Sequence, residues 1–320
     1  MMNFAITGVA GYIAPRHLKA IKETGNNLIA ACDPNDSVGI IDSYFMDCSF
    51  FTEFERFDRH LEKLHRSGND NKVNYLSICS PNHLHDAHIR LGLRLGADAI
   101  CEKPLVIKPS NLRYLKELEE ETGKKVYNIL QLRVHPTIIK LKEKVASENK
   151  KTKRDVVLTY ITSRGLWYNY SWKGDIEKSG GVATNIGIHF FDMLMWLFGK
   201  EQSNTVFLAE ANKMSGFMEL ENANVRWFLS IDKNDLPTEA VQSGKTTFRS
   251  ISIDGDELEF TGGFTDLHTV VYQDIINGKG YGIDDAYPSI DSVYRIRFMK
   301  PMEVNDFTHP YVLKLKGKKL

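Results

Sequence analysis

Short apolar runs alternate with stretches of helical spacing over the first 130 residues. Asn3–Thr7, Leu28–Cys32, Tyr75–Cys79, Asp98–Cys101 and Val126–Leu130 read as strands. Between them, Pro15–Thr24, Phe54–Arg66, His83–Leu95 and Ser110–Thr122 read as helices. Repeated strand–helix–strand units predict a parallel sheet with right-handed crossovers. Asn82 is placed to cap the helix after Tyr75–Cys79, and Ser110 the one before Val126. Gly123 suits a helix C-terminus.

Beyond residue 150 the pattern changes. Residues 148–155 are charged and read as a solvated turn. Val156–Thr162, Thr205–Glu210, Met214–Glu219, Val225–Ile231, Phe248–Ile253 and Glu257–Phe260 read as strands with little helix between them, which predicts an antiparallel sheet. Val182–Phe198, bounded by Gly181 and Gly199, and Leu267–Asn277 read as helices. Ala286–Phe298 has helical spacing and is expected to pack back on the first domain. The pattern therefore predicts an α/β domain over residues 1–130 and an α+β domain with an antiparallel sheet over residues 131–320. An open sheet leaves a face for a partner, and a homo-oligomer is expected.

Composition narrows the classes. The chain has 320 residues, enough to bury a large core without metal or disulfide staples. Lys plus Arg is 41 and Asp plus Glu is 41, which argues against a dedicated nucleic-acid binder and leaves room for a local basic pocket. No apolar run approaches the roughly 20 residues of a spanning helix. The most apolar stretch, Ile186–Phe198, is cut by His189 and Asp192, so membrane insertion is not expected. The start, MMNFAITG, lacks the signal-peptide pattern. Cys32, Cys48, Cys79 and Cys101 form no CxxC pair and read as reduced cysteines of a cytoplasmic protein.

Strand Asn3–Thr7 runs into Gly8-Val9-Ala10-Gly11-Tyr12-Ile13-Ala14, a relaxed dinucleotide fingerprint. A pyrophosphate needs exposed backbone N–H groups at a helix N-terminus and small residues to approach. Asp33 follows the second strand, placed to accept hydrogen bonds from the adenosine ribose. Its charge opposes a 2′-phosphate, and Pro34 and Asn35 offer no cation, so NAD is favoured over NADP.

Three more motifs sharpen the picture: Ser80-Pro81-Asn82-His83-Leu84-His85, Glu102-Lys103-Pro104 at the end of a strand, and Gly180 to Asp192 with its Asn185 and His189. With the glycine turn, these resemble the Gfo/Idh/MocA oxidoreductases over nearly the whole chain. The resemblance implies a Rossmann domain followed by a domain on an open antiparallel sheet. It implies cofactor contacts from Gly8, Gly11, Tyr12, Ile13, Asp33, Ser80, Asn82, His85, Glu102 and Lys103. Asn185 departs from the family, which usually has Asp there. Gly11–His17, Gly181–His189 and Gly262–His268 are similar to the branch that oxidises a UDP-N-acetylated hexuronic acid (UDP-GlcNAcA) at C3 for bacterial surface polysaccharide, the lipopolysaccharide O-antigen. That branch implies a tetramer and, in some members, 2-oxoglutarate as reoxidant of NADH.

Alcohol oxidation needs a hydride acceptor and a base within reach of the hydroxyl. Lys103 follows a parallel strand at its C-terminal end, where open α/β sheets bind ligands. Its bland alternative is a surface cation before a proline turn. His189 is the second candidate, with Asn185 and Asp192 on neighbouring turns to orient its ring. Which of the two takes the proton first stays open. Asn185 cannot ionise and reads as a substrate hydrogen-bonder. Arg164, Trp167, Tyr168, Trp172 and Lys173 offer aromatic faces and cations for sugar, uracil, phosphate or carboxylate, or else form core and interface aromatics. Arg16 and His17 face the pyrophosphate or the substrate carboxylate, or lie exposed on the first helix; Arg249 is a further cation. His83, His85 and His88 do not make a metal site, since no third ligand is placed beside the pair that shares a face. The alternatives to the nucleotide-sugar reading are a dehydrogenase of a free sugar or cyclitol and a catalytically silent NAD-binding regulatory protein.

Overall fold

A computed structural model describes residues 1–68, 71–148, 152–258, 266–315 and 317. The chain divides into two compact units, Met1–His135 with Gly263–Tyr287, and Pro136–Gly262 with Pro288–Leu320.

In chain order the first unit carries β1 (Asn3–Thr7), α1 (Ala14–Glu23), β2 (Asn27–Cys32), β3 (Ser49–Phe51), α2 (Phe54–Arg66), β4 (Tyr75–Ile78), α3 (His85–Arg94), β5 (Asp98–Cys101), α4 (Pro109–Thr122) and β6 (Val126–Asn128). The six strands form one sheet in the order β3-β2-β1-β4-β5-β6, every pair parallel. Residues of β1, β4 and β5 are buried almost without interruption, as strands covered by helices on both faces must be. α1 shows why these segments are helices. Pro15 occupies its first turn, Leu18 and Ile21 are buried, and Lys22 ends the helix near its negative pole. Two expected caps are corrected. Asn82 lies inside a 3₁₀ turn (82–84) whose N-cap is Pro81, and α4 starts at Pro109 with Lys108 at its N-cap. Gly123 closes α4 as expected. β3 has no counterpart among the predicted strands.

The second unit begins with α5 (Pro136–Ser147), β7 (Arg154–Thr162), α6 (Trp167–Tyr170), α7 (Ile176–Ser179) and α8 (Ile188–Phe198), the last entered through a π-type turn over Ala183–Gly187. β8 (Glu201–Ala209), β9 (Lys213–Leu220), β10 (Ala223–Ser230), α9 (Thr238–Gln242), β11 (Thr247–Ile253) and β12 (Asp256–Glu257) follow. The predicted strand Glu257–Phe260 extends beyond the described residues. The sheet runs β12-β11-β7-β10-β9-β8. It is mixed, which corrects the antiparallel expectation. β7 pairs with β10 in parallel because the chain between them crosses over through α8 and the β8–β9 hairpin. Alternation along β10 assigns its faces. Trp227 meets Phe191 of α8, ring centroids 5.3 Å apart, whereas Phe228 stacks on Tyr311 at 5.2 Å. The C-terminal segment therefore covers part of the face expected to be open, with Phe307 against Phe217 and His309 hydrogen-bonded to Thr159. Ile176–Phe198 is apolar and long enough to cross a membrane by length and composition alone, and 72% of an 18-residue window within it is buried.

After the second sheet come α10 (Leu267–Ile276), α11 (Ile283–Phe298) and α12 (Pro310–Leu315). The chain returns to the first unit with α10 and the start of α11; Pro288–Phe298, the greater part of the helix expected to pack back there, belongs to the second unit. α10 docks beside α1. Leu267, Val271, Tyr272 and Ile275 enter the same core as Leu18 and Ile21. Lys19 pairs with Asp266, and Thr269 donates to Glu23.

Gly216 of β9 tests the packing of the second sheet. A Cβ there would lie 2.2 Å from the Thr205 carbonyl oxygen and 2.6 Å from the Trp227 ring. Gly216→Ala is therefore expected to destabilise the second unit by about 2 kcal/mol or more, a melting shift of roughly 5 °C or more. An unchanged thermal unfolding curve would show that the β8–β9 pair yields more easily than its backbone geometry implies.

Candidate functional site

Gly8, Asp33, Ser80 and Glu102 all stand just past the C-terminal ends of parallel strands. The strand order reverses between β1 and β4, and open α/β sheets bind ligands at that switch point. Gly8 has φ +77°, and a Cβ on it would lie 2.5 Å from the Cys79 carbonyl carbon, so only glycine turns here. The Gly11 N–H closes the turn on the Gly8 carbonyl at 3.0 Å. Tyr12 is 91% exposed, while Gly11 and Ile13 are half-buried. Asp33 bends back over the turn. Its Oδ2 accepts from the Ala10 N–H at 3.0 Å and its Oδ1 from the Asn35 N–H at 2.9 Å. The glycine turn and a carboxylate aimed at it fit a dinucleotide, with the turn for the pyrophosphate and Asp33 for the ribose.

Ser80 and Asn82 are buried beside this cradle. Ser80 Oγ and Thr7 Oγ1 both lie 3.0 Å from His88 Nδ1, whose pKa burial lowers to about 3. His85 is buried too. Its Nδ1 is 2.8 Å from the Pro104 carbonyl oxygen and its Nε2 2.8 Å from that of Ser80, so it faces backbone. This corrects the expected cofactor contact. His83 is exposed.

Glu102 and Lys103 leave the sheet after β5, and the Lys103–Pro104 peptide is cis. Lys103 is half-buried, and its backbone N–H donates to Glu102 Oε2 at 3.2 Å. Glu102 is buried, and its Oε1 lies 3.0 Å from both His17 Nε2 and His268 Nε2. Burial alone would push this carboxyl up, but the hydrogen bonds from His17 and His268 prevail and hold it well below the usual range. A carboxylate only accepts, so both Nε2 atoms carry protons. His17 Nδ1 then accepts from the Tyr272 hydroxyl at 2.7 Å, and Tyr272 accepts from Ser77 at 2.7 Å. Burial lowers the pKa of His17 and keeps its ring neutral. Both expected roles are thereby corrected: Glu102 points into the core, and His17, 0% exposed, has its two ring nitrogens on Glu102 and Tyr272. Its neighbour Arg16 is exposed, because adjacent residues on a helix point apart. His17, Glu102 and His268 are also the group among the described residues whose ligand atoms converge enough to hold a metal, all within 4.8 Å. Protons on the two imidazoles account for that geometry, so no metal is assigned. Sequence reasoning missed His268 as a partner of Glu102 and Tyr272 as a partner of His17.

The other candidates lie in the second unit. Asn185 stands in the π-type turn before α8, a local widening often found at functional sites, and its Nδ2 donates to the Tyr168 hydroxyl at 2.6 Å. His189, the second residue of α8, is half-buried, and Asp192 is buried. Trp167 is 56% exposed and Tyr168 is buried. Lys173 Nζ sits 4.2 Å from the Trp172 ring centroid and 5.9 Å from that of Trp167. Its pKa is lowered by burial and then by the charge of Arg164, which is itself exposed. Arg249 lies over Tyr160 and Phe190 at 5.7 and 5.8 Å. Gly262–Thr265 lie outside the described residues.

Two family models match. Residues 2–129 fit the Gfo/Idh/MocA oxidoreductase family's NAD-binding Rossmann fold, and residues 154–233 its C-terminal alpha/beta domain. The WlbA (WbpB) dehydrogenase from Thermus thermophilus is 52% identical, with TM-score 0.93 over 97% of this chain and 100% of that one. It was solved with NAD and alpha-ketoglutarate and with NAD and UDP-GlcNAcA. The Bordetella pertussis WlbA dehydrogenase, 18% identical with TM-score 0.74 over 95% of this chain and 98% of that one, shares the fold. D-glucoside 3-dehydrogenase of Escherichia coli is 27% identical over 40% of this chain and 36% of its own length. The inositol 2-dehydrogenase of Rhizobium meliloti is 23% identical over 62% and 56%. The chain thus spans between about a third and just over half of these curated relatives. With both family models matched in order over more than half of its length, the chain belongs to the Gfo/Idh/MocA oxidoreductases and opens with their NAD-binding Rossmann domain.

Proposed function

We propose that the protein oxidises the C3 hydroxyl of UDP-GlcNAcA to a ketone with NAD. The observation that carries this reading is the 52% identity, over 97% of the chain, to a dehydrogenase solved with NAD and that nucleotide sugar. Bound NAD supplies the hydride acceptor. Gly8, Gly11, Tyr12 and Ile13 hold its pyrophosphate, Asp33 its ribose, and Ser80 and Asn82 flank it. Lys103 and His189 remove and return the hydroxyl proton. Arg16, Arg164, Lys173 and Arg249 are the cations for the pyrophosphate and carboxylate, and Trp167, Tyr168 and Trp172 supply flat walls. Asn185 hydrogen-bonds the sugar, a role its amide can fill at any pH. 2-Oxoglutarate, a ligand of the Thermus protein, fits the same reading as the oxidant of the return half-reaction. The same two side chains then give the proton to its keto oxygen. A cytoplasmic homo-oligomer, a tetramer, serving O-antigen synthesis completes the proposal.

Replacing Asp33 by Ser together with Asn35→Arg is expected to move preference toward NADP, read as the ratio of kcat/KM for the two cofactors. A wild type that already prefers NADP would overturn the role given to Asp33. Lys103→Ala and His189→Ala are each expected to cut turnover at least about a hundredfold. NAD affinity should change little, and near-full activity in either variant removes that residue from the mechanism. The substrate is tested by comparing UDP-GlcNAcA, UDP-GlcNAc and free GlcNAcA by absorbance at about 340 nm. UDP-GlcNAcA is expected to be used best, with both kcat and affinity lost without UDP, because remote binding energy positions the reacting carbon. Equal use of UDP-GlcNAc removes the carboxylate contact; a free sugar or cyclitol used best replaces the nucleotide-sugar reading.

A further inference from the structure

We propose that His17 and His268 are positioning residues for Lys103, acting through the Glu102 carboxylate on which the Lys103 backbone N–H hangs. The inference rests on the reading of Lys103 as an acid–base group.

The turn Glu102-Lys103-Pro104 is fastened at both ends. Before it, Glu102 Oε2 accepts the Lys103 N–H at 3.2 Å. After it, the Pro104 carbonyl lies 2.8 Å from His85 Nδ1. The second contact of His85, on the Ser80 carbonyl, ties that turn toward the cofactor cradle, although a neutral ring donates to only one of the two carbonyls at a time. The Glu102 end depends on charge. Three N–H groups meet this side chain, from His17, His268 and Lys103. Only the ionised form accepts all three, since a protonated carboxyl would turn an O–H toward one of them.

The two imidazoles come from helices some 250 residues apart in sequence, α1 and α10. Both are buried, with their Nε2 atoms turned to Glu102. A charge buried in a core is costly, and apolar side chains would pack that space more cheaply. What the arrangement supplies is an acceptor fixed under the backbone of one lysine. Misplacing a reacting group by about 1 Å costs up to about a hundredfold in rate.

The ionisable groups that face Glu102 come from every element around it. α1 brings His17, with the charge of Arg16 acting on that ring. α10 brings His268 and Tyr272, and α3 brings His85. Cys79 and Cys101 lie at the strand ends, their thiols pushed up and kept neutral by burial. Lys103 adjoins it in the chain. Removing one donor leaves burial less opposed, so the Glu102 carboxyl titrates higher. Its protonation at falling pH then weakens the charge-assisted bond that fixes the Lys103 N–H, and activity is lost from the acid side.

The test uses the full chain with His17→Leu, His268→Leu, His17→Gln and His268→Gln. Glutamine keeps an N–H at similar reach; leucine does not. The readouts are kcat, NAD affinity by fluorescence, thermal unfolding, and kcat/KM against pH. The leucine variants are expected to lose about tenfold or more in kcat while NAD affinity stays within about threefold. Their acid limb should move up by about one pH unit or more, and the glutamine variants should recover most of both. Wild-type kcat and an unmoved profile in the leucine variants overturn the proposal. So does a joint loss of kcat and NAD affinity that glutamine fails to restore, the mark of a merely structural role. If leucine prevents folding, Glu102→Gln decides. It keeps the shape and removes the charge, and is expected to bind NAD normally, turn over at least about tenfold more slowly and lose the Glu102 limb; normal turnover there overturns the proposal. The substrate reading fails separately. If the wild type prefers another alcohol, the same variants are run on that alcohol, and an active Lys103→Ala refutes the role of Lys103 itself.

Discussion

A single buried carboxylate organises the first unit. Glu102 ends a central strand, and an ionised group there is tolerable only with donors on its oxygens. Those donors recruit α1 through His17 and α10 through His268. The chain leaves the first unit at residue 135 and returns at residue 263, and α10 is the helix it brings back. The returning segment is therefore more than a cover for apolar surface. It carries a hydrogen-bond donor for the buried charge that adjoins the proposed acid–base lysine. Tyr272 on the same helix continues the network to His17 and Ser77, so each proton points one way, from Ser77 to Tyr272 to His17 to Glu102.

The first sheet was legible because its strands are buried on both faces and its helices are amphipathic at ordinary spacing. β1 and β5 were bounded to the residue, and α2 likewise. β3 was not, for a physical reason. It is a three-residue edge strand, half-buried, pairing with β2 alone, and offers neither an apolar run nor an alternation long enough to count. In the second unit the strand positions were recognisable but the parallel pairing of β7 with β10 was not, because pairing direction is a property of the connection rather than of the strand. The π-type turn at Ala183–Gly187 was equally hidden inside what reads as one continuous helix from Val182.

Site residues divided along the same line. Gly8, Asp33 and Lys103 stand where a local rule puts them: a strand ends, a turn follows, and the side chain or the missing side chain has one obvious direction. His17 and His85 adjoin the motifs in sequence, and that adjacency alone points them toward a ligand. The structure turns both inward, since their partners, Glu102, Tyr272, Ser80 and Pro104, arrive from other segments. His268 is the complementary case. It closes the Gly262–His268 segment, but nothing local says which way its ring turns, and its partner lies 166 residues away. A signal did exist, in that a glutamate ending a buried strand needs hydrogen-bond donors brought to its oxygens by other segments.

The two units handle charge in opposite ways, and the contrast bears on what binds. Glu102 is balanced within its own unit, so its field is largely closed on His17 and His268. Lys173 is not. The influences that set its pKa are its own burial and the charge of Arg164, and both are unfavourable to the ammonium. Stacking on Trp172 at 4.2 Å offsets part of that cost, as an aromatic face does for a cation. Lys173, held against Trp172 and repelled by the exposed Arg164, gains from a neighbouring anion, because a carboxylate or phosphate offsets that repulsion. The balanced network serves rigidity; the unbalanced one gains most from an anionic ligand. For a protein whose formal charge is zero, that local excess is the physical feature that most favours an anionic sugar over a neutral one.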